Sequence, residues 1–309
     1  MRILVLGAGG IGGYFGARIH AAGGDVTFLV RPARAAQLRE NGLKVSSPAG
    51  DLQITPGVVT RDELNGSFDV IMLSCKAYDL ESSIEAIAPA VGEQSVILPL
   101  LNGVLHIDTL VSRFGSQRVL GGVAFISVML TPGGEIKHHF KLHKLFTGSL
   151  VPQPPQWLQA LAQLLSASGF DFKLSDNIEQ AMWDKFVFLS TMAGSTCLFR
   201  ASIGNILSTV AGQAFITGLL AECARVAEAS GHLVAEAQLA AYRKQLTDSG
   251  SGLMASMLRD VERGGPTEAD HILGDMLARA QAKGVDAPML RLAYSHLQAY
   301  EIRRQTESN

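Results

Sequence analysis

Cysteine, charge and long apolar runs are all scarce in this sequence of 309 residues. Its three cysteines (Cys75, Cys197 and Cys223) are far apart, which argues against a disulfide framework or a Cys-x-x-Cys zinc site and favours a reducing cytoplasm. Charged residues make up only 17% and the net charge is −2, so no nucleic-acid or membrane-surface partner is expected. No apolar run reaches the roughly 20 residues that span a membrane. What remains is a soluble, well-buried globular chain with room for two domains.

Strand and helix patterns alternate through the first part of the chain. Short, nearly continuous apolar runs such as "DVIMLS" (69–74) and "SVILPL" (95–100) are typical of parallel strands covered on both faces. From about Asp176 the apolar period changes to 3.6, and helical segments follow one another to the end. We therefore predict an α/β Rossmann-type N-terminal domain over residues 1–176 and an all-α C-terminal substrate and catalytic domain over residues 177–309.

The stretch "ILVLGAGGIG" (3–12) places G-x-G-x-x-G between an apolar strand and a helix. In a Rossmann unit the first glycine allows a tight turn, the second lets the backbone approach a pyrophosphate, and the third lets the helix pack on the strand. A glycine-rich loop without a ligand is the alternative. We predict a dinucleotide site formed by Gly7, Ala8, Gly9, Gly10, Ile11 and Gly12.

The second strand, "DVTFLVR" (25–31), ends in an arginine. NAD-binding units carry an acid at this place to hold the ribose 2′-OH, whereas a guanidinium can grip the 2′-phosphate of NADP. Arg34 follows one turn after Arg31, and no acid occurs from Thr27 to Leu38. The pattern predicts NADPH as the cofactor, with an ordinary surface arginine as the alternative.

Two polar residues follow strands of the predicted sheet. Lys76 comes after "DVIMLSC" and Asn102 after "SVILPLL". Ligands of open α/β sheets bind beyond the carboxyl ends of the strands, so both residues are candidates for the rim of a site. Each also has a simpler explanation: Lys76 could be a solvated strand end, and Asn102 could belong to an ordinary Asn-Gly turn.

Lys185, in "WDKFVFLS", is the only cation between Lys173 and Arg200 and precedes a very apolar run. Partial desolvation would bring the pKa of such a lysine towards the working pH, which suits a proton donor to a carbonyl. An ordinary lysine paired with Asp184 or Glu179 is the alternative.

In "GGPTEADHILG" we expect Thr267 and Asp270 to form a capping box, which would place Glu268 in the first helical turn. A favourable interaction with the helix N-terminus alone would explain the presence of an acid at position 268. Ser256, in "ASMLRD", is equally compatible with an ordinary surface position.

The stretch "KHHFKLHK" (137–144) contains three histidines. In a strand, His138 would face opposite to His139 and His143, so the three would not converge. We therefore expect a solvated basic strand face and no metal site.

The segments "GAGGIGGYFG", "SCKAYD", "LLNGV", "WDKF" and "SMLRDVERGGPTEAD", in this order, resemble the ketopantoate reductase (2-dehydropantoate 2-reductase) family from end to end. The resemblance implies that NADPH binds to the glycine-rich loop and Arg31. It also implies that Lys76 lies near the cofactor phosphate and ribose, and Asn102 near the nicotinamide and the substrate.

The same resemblance implies the chemistry. Lys185 would be the catalytic acid, Glu268 its partner and Ser256 a hydrogen-bond donor to the substrate. A hydride would pass from NADPH to the ketone carbon of a 2-oxo acid, with ketopantoate and pantothenate biosynthesis as the default, while Lys185 protonates the oxygen.

The resemblance is incomplete in the substrate pocket. Where the family commonly has asparagines, this chain has Leu189, Ala193 and Ile203. Asn205 lies two residues beyond Ile203 and could substitute for the third asparagine if the loop shifts. A reductase of a more apolar 2-oxo acid is therefore an alternative, as are a 6-phosphogluconate-like or 3-hydroxyacid dehydrogenase and a non-catalytic NADP(H)-sensing module. The expected partner is a small 2-oxo acid, with a homodimer left open.

Overall fold

The computed structural model describes residues 1–155 and 157–307. Gln156, Ser308 and Asn309, which belong to the predicted domains, lie outside the described residues. The chain divides into two compact units. One contains Met1–Leu101 and His106–Ala181, and the other contains Asn102–Leu105 and the chain from Met182 onward.

Ten strands occur in the described part of the first unit. They are β1 (Arg2–Leu6), β2 (Asp25–Leu29), β3 (Leu43–Ser46), β4 (Leu52–Ile54), β5 (Gly57–Val59), β6 (Phe68–Leu73), β7 (Val91–Pro99), β8 (Leu120–Leu130), β9 (Ile136–Ser149) and β10 (Asp171–Leu174). Five of them form a parallel sheet in the order β5-β2-β1-β6-β7. The others form a mixed sheet in the order β10-β9-β3-β4, with β8 antiparallel to β9.

Helices connect these strands. They are α1 (Gly10–Ala21), α2 (Pro32–Asn41), α3 (Leu80–Ile87), α4 (Leu105–Phe114) and α5 (Trp157–Ser166). The parallel sheet has an apolar cluster on each face, because successive strand residues point to opposite sides. Ile3 and Val5 join one cluster with Phe15 of α1, while Leu4 joins the other with Ile84 of α3. Each buried side chain of this kind contributes roughly 1.5–3 kcal/mol.

The C-terminal part of the chain is helical. Its helices are α6 (Ile178–Phe199), α7 (Ile203–Leu207), α8 (Gly212–Ala229), α9 (Glu236–Leu246), α10 (Ser256–Glu262), α11 (Asp275–Ala282) and α12 (Pro288–Glu307). A π turn over Asp270–Gly274 leads directly into α11. Among the described residues, no helix is long and apolar enough to cross a membrane.

Close packing on α6 organises the helical unit. A Cβ atom at Gly194 would lie 2.9 Å from the Leu219 side chain of α8 and 3.4 Å from Ala293 of α12, so α6 packs closely against both helices at this glycine. Buried Glu222 of α8 accepts the N–H groups of Met289 and Leu290, which have no helical partner in the first turn of α12. The predicted fold, a Rossmann-type domain followed by helices, is confirmed.

Candidate active site

The glycine-rich loop adopts the conformation that its sequence pattern requires. Gly7 has a φ of +88°, a backbone region that favours glycine, and its N–H bonds the Leu29 carbonyl at the end of β2. A Cβ atom at Gly12 would collide with Ser74 Oγ and lie 2.6 Å from the Gly7 carbonyl oxygen. At Gly9, by contrast, a Cβ atom would have no protein atom within 4 Å. The loop therefore favours glycine at Gly7 because of its backbone conformation, packs tightly at Gly12 and leaves Gly9 open.

The N-terminus of α1 follows this loop and can receive an anion. The helix begins at Gly10, its cap residue Gly9 has no side-chain cap, and its first turn contains no acid. The first N–H groups of a helix have no internal partners and carry a partial positive charge. Ala8, Gly10 and Ile11 continue the same backbone, so these residues fit the pyrophosphate of a dinucleotide.

Arg31 has an acidic partner that its own segment does not contain. Its Nη2 lies 3.6 Å from Asp79 Oδ2, and both side chains are exposed. Asp79 ends the short helical turn Ala77–Asp79 that Lys76 precedes, so the ion pair connects Arg31 to the segment that directly follows Lys76. Arg34 lies over the glycine-rich loop, since its Nη2 donates to the Ala8 carbonyl at 3.1 Å. The sequence pattern around Arg31 did not predict this partner, because Asp79 lies 48 residues away in the sequence.

In the helical unit, Lys185 and Asn102 are hydrogen-bonded. Lys185 Nζ donates to Asn102 Oδ1 at 2.9 Å, although 83 residues separate them. Asn102–Leu105 belong to the same compact unit as the part of α6 that carries Lys185. The two residues that the sequence singled out separately are therefore direct neighbours.

Burial sets the protonation of Lys185. Desolvation by the surrounding protein lowers the pKa of its ammonium group to about 8, and the negative charge of Glu268 opposes that fall. Glu268 is itself buried, with 6% of its surface exposed. Lys185 consequently stays charged at neutral pH while remaining ready to release its proton, the property expected of a general acid.

The segment around Glu268 differs from the expected capped helix. Thr267 gives both its N–H and its hydroxyl to Glu301 Oε1, at 2.6 and 2.7 Å. Asp270 accepts the Tyr294 hydroxyl at 2.8 Å. The predicted capping box is therefore wrong, because residues of α12 satisfy these groups first. Glu268 precedes the π turn in an irregular segment.

His271, in the π turn, was not predicted to belong to the site. Its ring is bonded to the Asn102 backbone and lies against Gly103, where a Cβ atom would be 3.1 Å from His271 Cδ2. Gly103 has a φ of +81°, so glycine is favoured there on two grounds. The sequence carries no local signal for this contact, since the two segments are more than 160 residues apart.

The remaining predicted substrate residues, Ser256 and Asn205, also belong to the helical unit. Ser256 is the exposed first residue of α10, directly after Ala255, whose N–H reaches Thr196 Oγ1 of α6 at 3.4 Å. Asn205 is exposed on α7, where its N–H donates to Ser202 Oγ at 3.4 Å. The geometry brings together Lys185, Asn102 and Glu268, while substrate binding by Ser256 and Asn205 stays a prediction.

Two of the three apolar residues that stand where the family commonly has asparagines are buried. Ala193 is 3% exposed and Ile203 is fully buried, and Leu189, one turn after Lys185, is partly exposed. These side chains offer no hydrogen bonds. A polar ligand placed against them would need its partners elsewhere.

The histidines of β9 differ from the expected arrangement. Ile126 pairs with His143 and Val128 with His138, so β9 contains three more residues than β8 in this interval. The bulge brings His138 and His143 into stacking contact, with ring centroids 5.5 Å apart, and the expectation of opposite faces is wrong. Tyr14 and Ser47 bond one ring each, at 2.6 and 2.8 Å. Among the described residues, no group of three or more His, Cys, Asp or Glu side chains could hold a metal.

Known proteins resemble the chain over almost its entire length. The model of the family "Ketopantoate reductase PanE/ApbA" matches residues 3–151, and that of its C-terminal domain matches residues 177–301. The oxidoreductase YkpB of Bacillus subtilis is 36% identical over 98% of this chain and 100% of its own.

Solved structures give the same result. A 2-dehydropantoate 2-reductase from Geobacter metallireducens is 28% identical, with a TM-score of 0.88 over 97% of this chain and 99% of its own. A D-mandelate dehydrogenase with NADH and anilino(oxo)acetate shares the fold, with 23% identity and a TM-score of 0.89 over 99% of both chains. The predicted family is confirmed: the chain belongs to the ketopantoate reductase family of oxidoreductases.

Proposed function

We propose that this oxidoreductase uses NADPH to reduce 2-dehydropantoate to pantoate, a reaction of pantothenate biosynthesis. The observation that carries the proposal is the group formed by the part-buried pair of Lys185 and Asn102 with the buried Glu268. It combines a lysine with a pKa of about 8, a neutral acceptor at 2.9 Å and a carboxylate that favours the charged lysine. Membership of the ketopantoate reductase family supports the same assignment.

The first unit supplies the residues that would hold the cofactor. The open backbone at Gly9 and the uncapped N-terminus of α1 fit its pyrophosphate. Arg31 and Lys76 would bind the 2′-phosphate that distinguishes NADPH from NADH, since a guanidinium forms strong paired bonds to phosphate oxygens. When bound, NADPH supplies the hydride.

The helical unit supplies the proton. As the ketone carbon of the 2-oxo acid receives the hydride, negative charge develops on its oxygen, and Lys185 Nζ gives one proton to that oxygen. Asn102 Oδ1 orients the ammonium group, and Glu268 keeps it charged beforehand. The products are a 2-hydroxy acid and a neutral lysine, which regains its proton from solvent. General acid catalysis of this kind contributes typically 10²–10⁴-fold to the rate.

NADPH oxidation at 340 nm by the purified protein tests the proposal. Ketopantoate is compared with 2-oxoisovalerate, phenylglyoxylate and phenylpyruvate, and each is repeated with NADH. We expect the highest kcat/KM with ketopantoate and NADPH. Absence of turnover with every acid would overturn the reductase assignment, and a preference for NADH would overturn the cofactor assignment.

A second candidate substrate is a more apolar 2-oxo acid. It is favoured by the apolar side chains of Leu189, Ala193 and Ile203, because each buried polar group of ketopantoate left unpaired would cost about 1–3 kcal/mol. In the same assay this candidate predicts the highest kcat/KM with phenylglyoxylate or phenylpyruvate. A cytoplasmic location and a homodimer are further predictions of the proposal, and size-exclusion chromatography tests the second.

A further inference from the structure

The short segment Asn102–Gly103 needs support to present its side chain to Lys185. Gly103 has a left-handed backbone, with a φ of +81°, which allows the chain to turn sharply after Asn102. A glycine also adds backbone freedom, so the position of the Asn102 amide depends on what holds the segment from outside.

His271 holds the segment at two points. Its ring forms a hydrogen bond with the backbone of Asn102, and this bond favours the protonated ring, so the ring N–H donates to the carbonyl. The ring also covers the space beside Gly103, where a Cβ atom would lie 3.1 Å from Cδ2 and 3.4 Å from Nε2. One side chain thus fixes both the carbonyl of Asn102 and the turn that follows it.

The surroundings of His271 restrict its position. The residue is 8% exposed and lies in the π turn, whose end is closed by a bond from the Asp275 N–H to the Asp270 carbonyl. Burial lowers the pKa of the imidazole, while the carboxylates of Glu268 and Asp275 oppose that fall. The ring is therefore mainly neutral at neutral pH, with one N–H to donate.

Asp275 is in turn held by a series of contacts that leads to α6. Both of its carboxylate oxygens accept Arg279 Nε, at 3.0 Å each, and the Arg279 guanidinium lies 5.3 Å from the Trp183 ring centre. Trp183 also stacks on His232, with ring centroids 4.8 Å apart. Because Trp183 precedes Lys185 by two residues on α6, the same cluster braces both the π turn and the helix that carries the lysine.

We propose that His271 is a positioning residue of the reaction, which holds the Asn102–Gly103 segment so that Asn102 Oδ1 orients the Lys185 ammonium group. His271 itself touches neither substrate nor cofactor in this role. The inference rests on the proposed function, because it assumes that Lys185 is the proton donor.

Two variants of His271 separate positioning from simple packing. His271→Phe keeps an aromatic ring of similar size but removes the donor, whereas His271→Gln keeps a donor at about the position of Nε2. We expect His271→Phe to lower kcat roughly 10- to 100-fold, since a misplacement of about 1 Å can cost that much, and to leave the KM for NADPH unchanged. His271→Gln should retain a kcat close to that of the original protein.

The protonation of Lys185 gives a readout that does not need turnover. Loss of the Asn102 acceptor removes a bond that favours the charged amine, so the Lys185 pKa should fall below about 8 in His271→Phe and stay in place in His271→Gln. Titration of Cε-labelled lysine by NMR measures this directly, with Lys185→Arg used to assign the signal. Asn102→Ala completes a double-mutant cycle, in which His271→Phe should have no further effect on kcat.

Each outcome decides the inference. Equal loss of kcat in the Phe and Gln variants with an unchanged Lys185 titration, or additive losses in the cycle, would overturn it. If His271→Phe does not fold, His271→Asn, whose shorter side chain cannot reach the carbonyl, replaces it with the same expectations. If the original protein reduces no 2-oxo acid, the proposed function fails, while the NMR titration still tests the contact between His271 and the Asn102 segment.

Discussion

The glycine-rich loop and the Lys185 group are built in opposite ways. The loop is a continuous stretch of backbone from Gly7 to Gly12, in which Gly12 is tightly packed and Gly9 is left open. The Lys185 group consists of side chains from segments 83 residues apart, in which a hydrogen bond and the charge of Glu268 oppose the desolvation of the lysine. The glycine-rich loop depends on the absence of side chains, whereas the Lys185 group depends on the polar groups that its side chains supply. Substitutions should therefore damage the two sites through different observables.

The largest effect is expected at Lys185. Lys185→Ala removes the proton donor, so kcat should fall by about 10²–10⁴-fold while the affinity for NADPH stays unchanged. Stopped-flow turnover and NADPH fluorescence titration measure the two quantities. Lys244→Ala, which removes an exposed lysine of α9, is the matched control and should change neither. Unchanged function in Lys185→Ala would favour a cofactor-sensing protein over an enzyme.

The next largest effect is expected at the loop, where two alanine variants should separate binding from folding. Gly9→Ala places a methyl group where no protein atom lies within 4 Å, so the melting temperature should stay the same. The same methyl group would obstruct the pyrophosphate, and the Kd for NADPH should rise at least about tenfold, or 1.4 kcal/mol.

Gly12→Ala should instead lower both stability and affinity. Its Cβ atom would lie 2.6 Å from the Gly7 carbonyl oxygen and collide with Ser74 Oγ, an overpacking that costs about 1–3 kcal/mol. Calorimetry and NADPH titration of both variants test the pair. A drop in melting temperature for Gly9→Ala would contradict the open position assigned to it.

A smaller effect should appear in the pH dependence. Because Lys185 must carry a proton and its pKa is about 8, kcat/KM should decline as the pH rises through about 8. Glu268→Gln removes a charge that raises this pKa, so the decline should move to lower pH. The matched control is Glu228→Gln, at an exposed position of α8, which should leave the profile in place. A shift to higher pH in Glu268→Gln would contradict the interaction.

The smallest effect concerns the choice of cofactor. The exposed pair of Arg31 and Asp79, at 3.6 Å, is worth about 0.2–1 kcal/mol, and the carboxylate also repels a 2′-phosphate. Asp79→Asn should therefore raise the preference for NADPH over NADH a few-fold, measured as the ratio of kcat/KM values. Asp286→Asn removes a comparable exposed pair with Arg291 at 3.7 Å and should not alter the ratio. A reversed change would show that Asp79 assists cofactor binding.

The fold and the loop could be predicted because their signals are local. Apolar runs, glycine spacing and a change of period each lie within one segment, so the Rossmann-type domain and the helical part followed from the sequence. Lys185 also carried a local signal, as an isolated cation before an apolar run. Its partner Asn102 was noticed as a residue after a strand, and the family resemblance implied that it lies near the substrate. Nothing in the pattern of either segment predicted the bond between Asn102 and Lys185.

The parts that the sequence did not predict depend on distant competitors. Glu301, 34 residues further along, takes the Thr267 groups that a local capping box would have used. The bulge in β9 interrupts the alternation of side chains between the two faces of the strand, so that His138 stacks on His143. His271 and its contact with Gly103 join segments that only tertiary packing brings together. Propensity rules consider residues that are close in sequence, whereas these hydrogen bonds and contacts depend on residues that are close only in space.

The π turn over Asp270–Gly274 makes the length of its segment a functional quantity. A π turn holds one residue more than an α-helical turn, and one residue corresponds to a rotation of about 100° around a helix axis. Deleting a single residue here would let a regular helix form but would turn α11 relative to Glu268 and His271. Buried Met276 and Ala280 would then face outward, and Asp275 would lose its place behind His271. The number of residues between Glu268 and Asp275 thus specifies the site as firmly as their chemistry does.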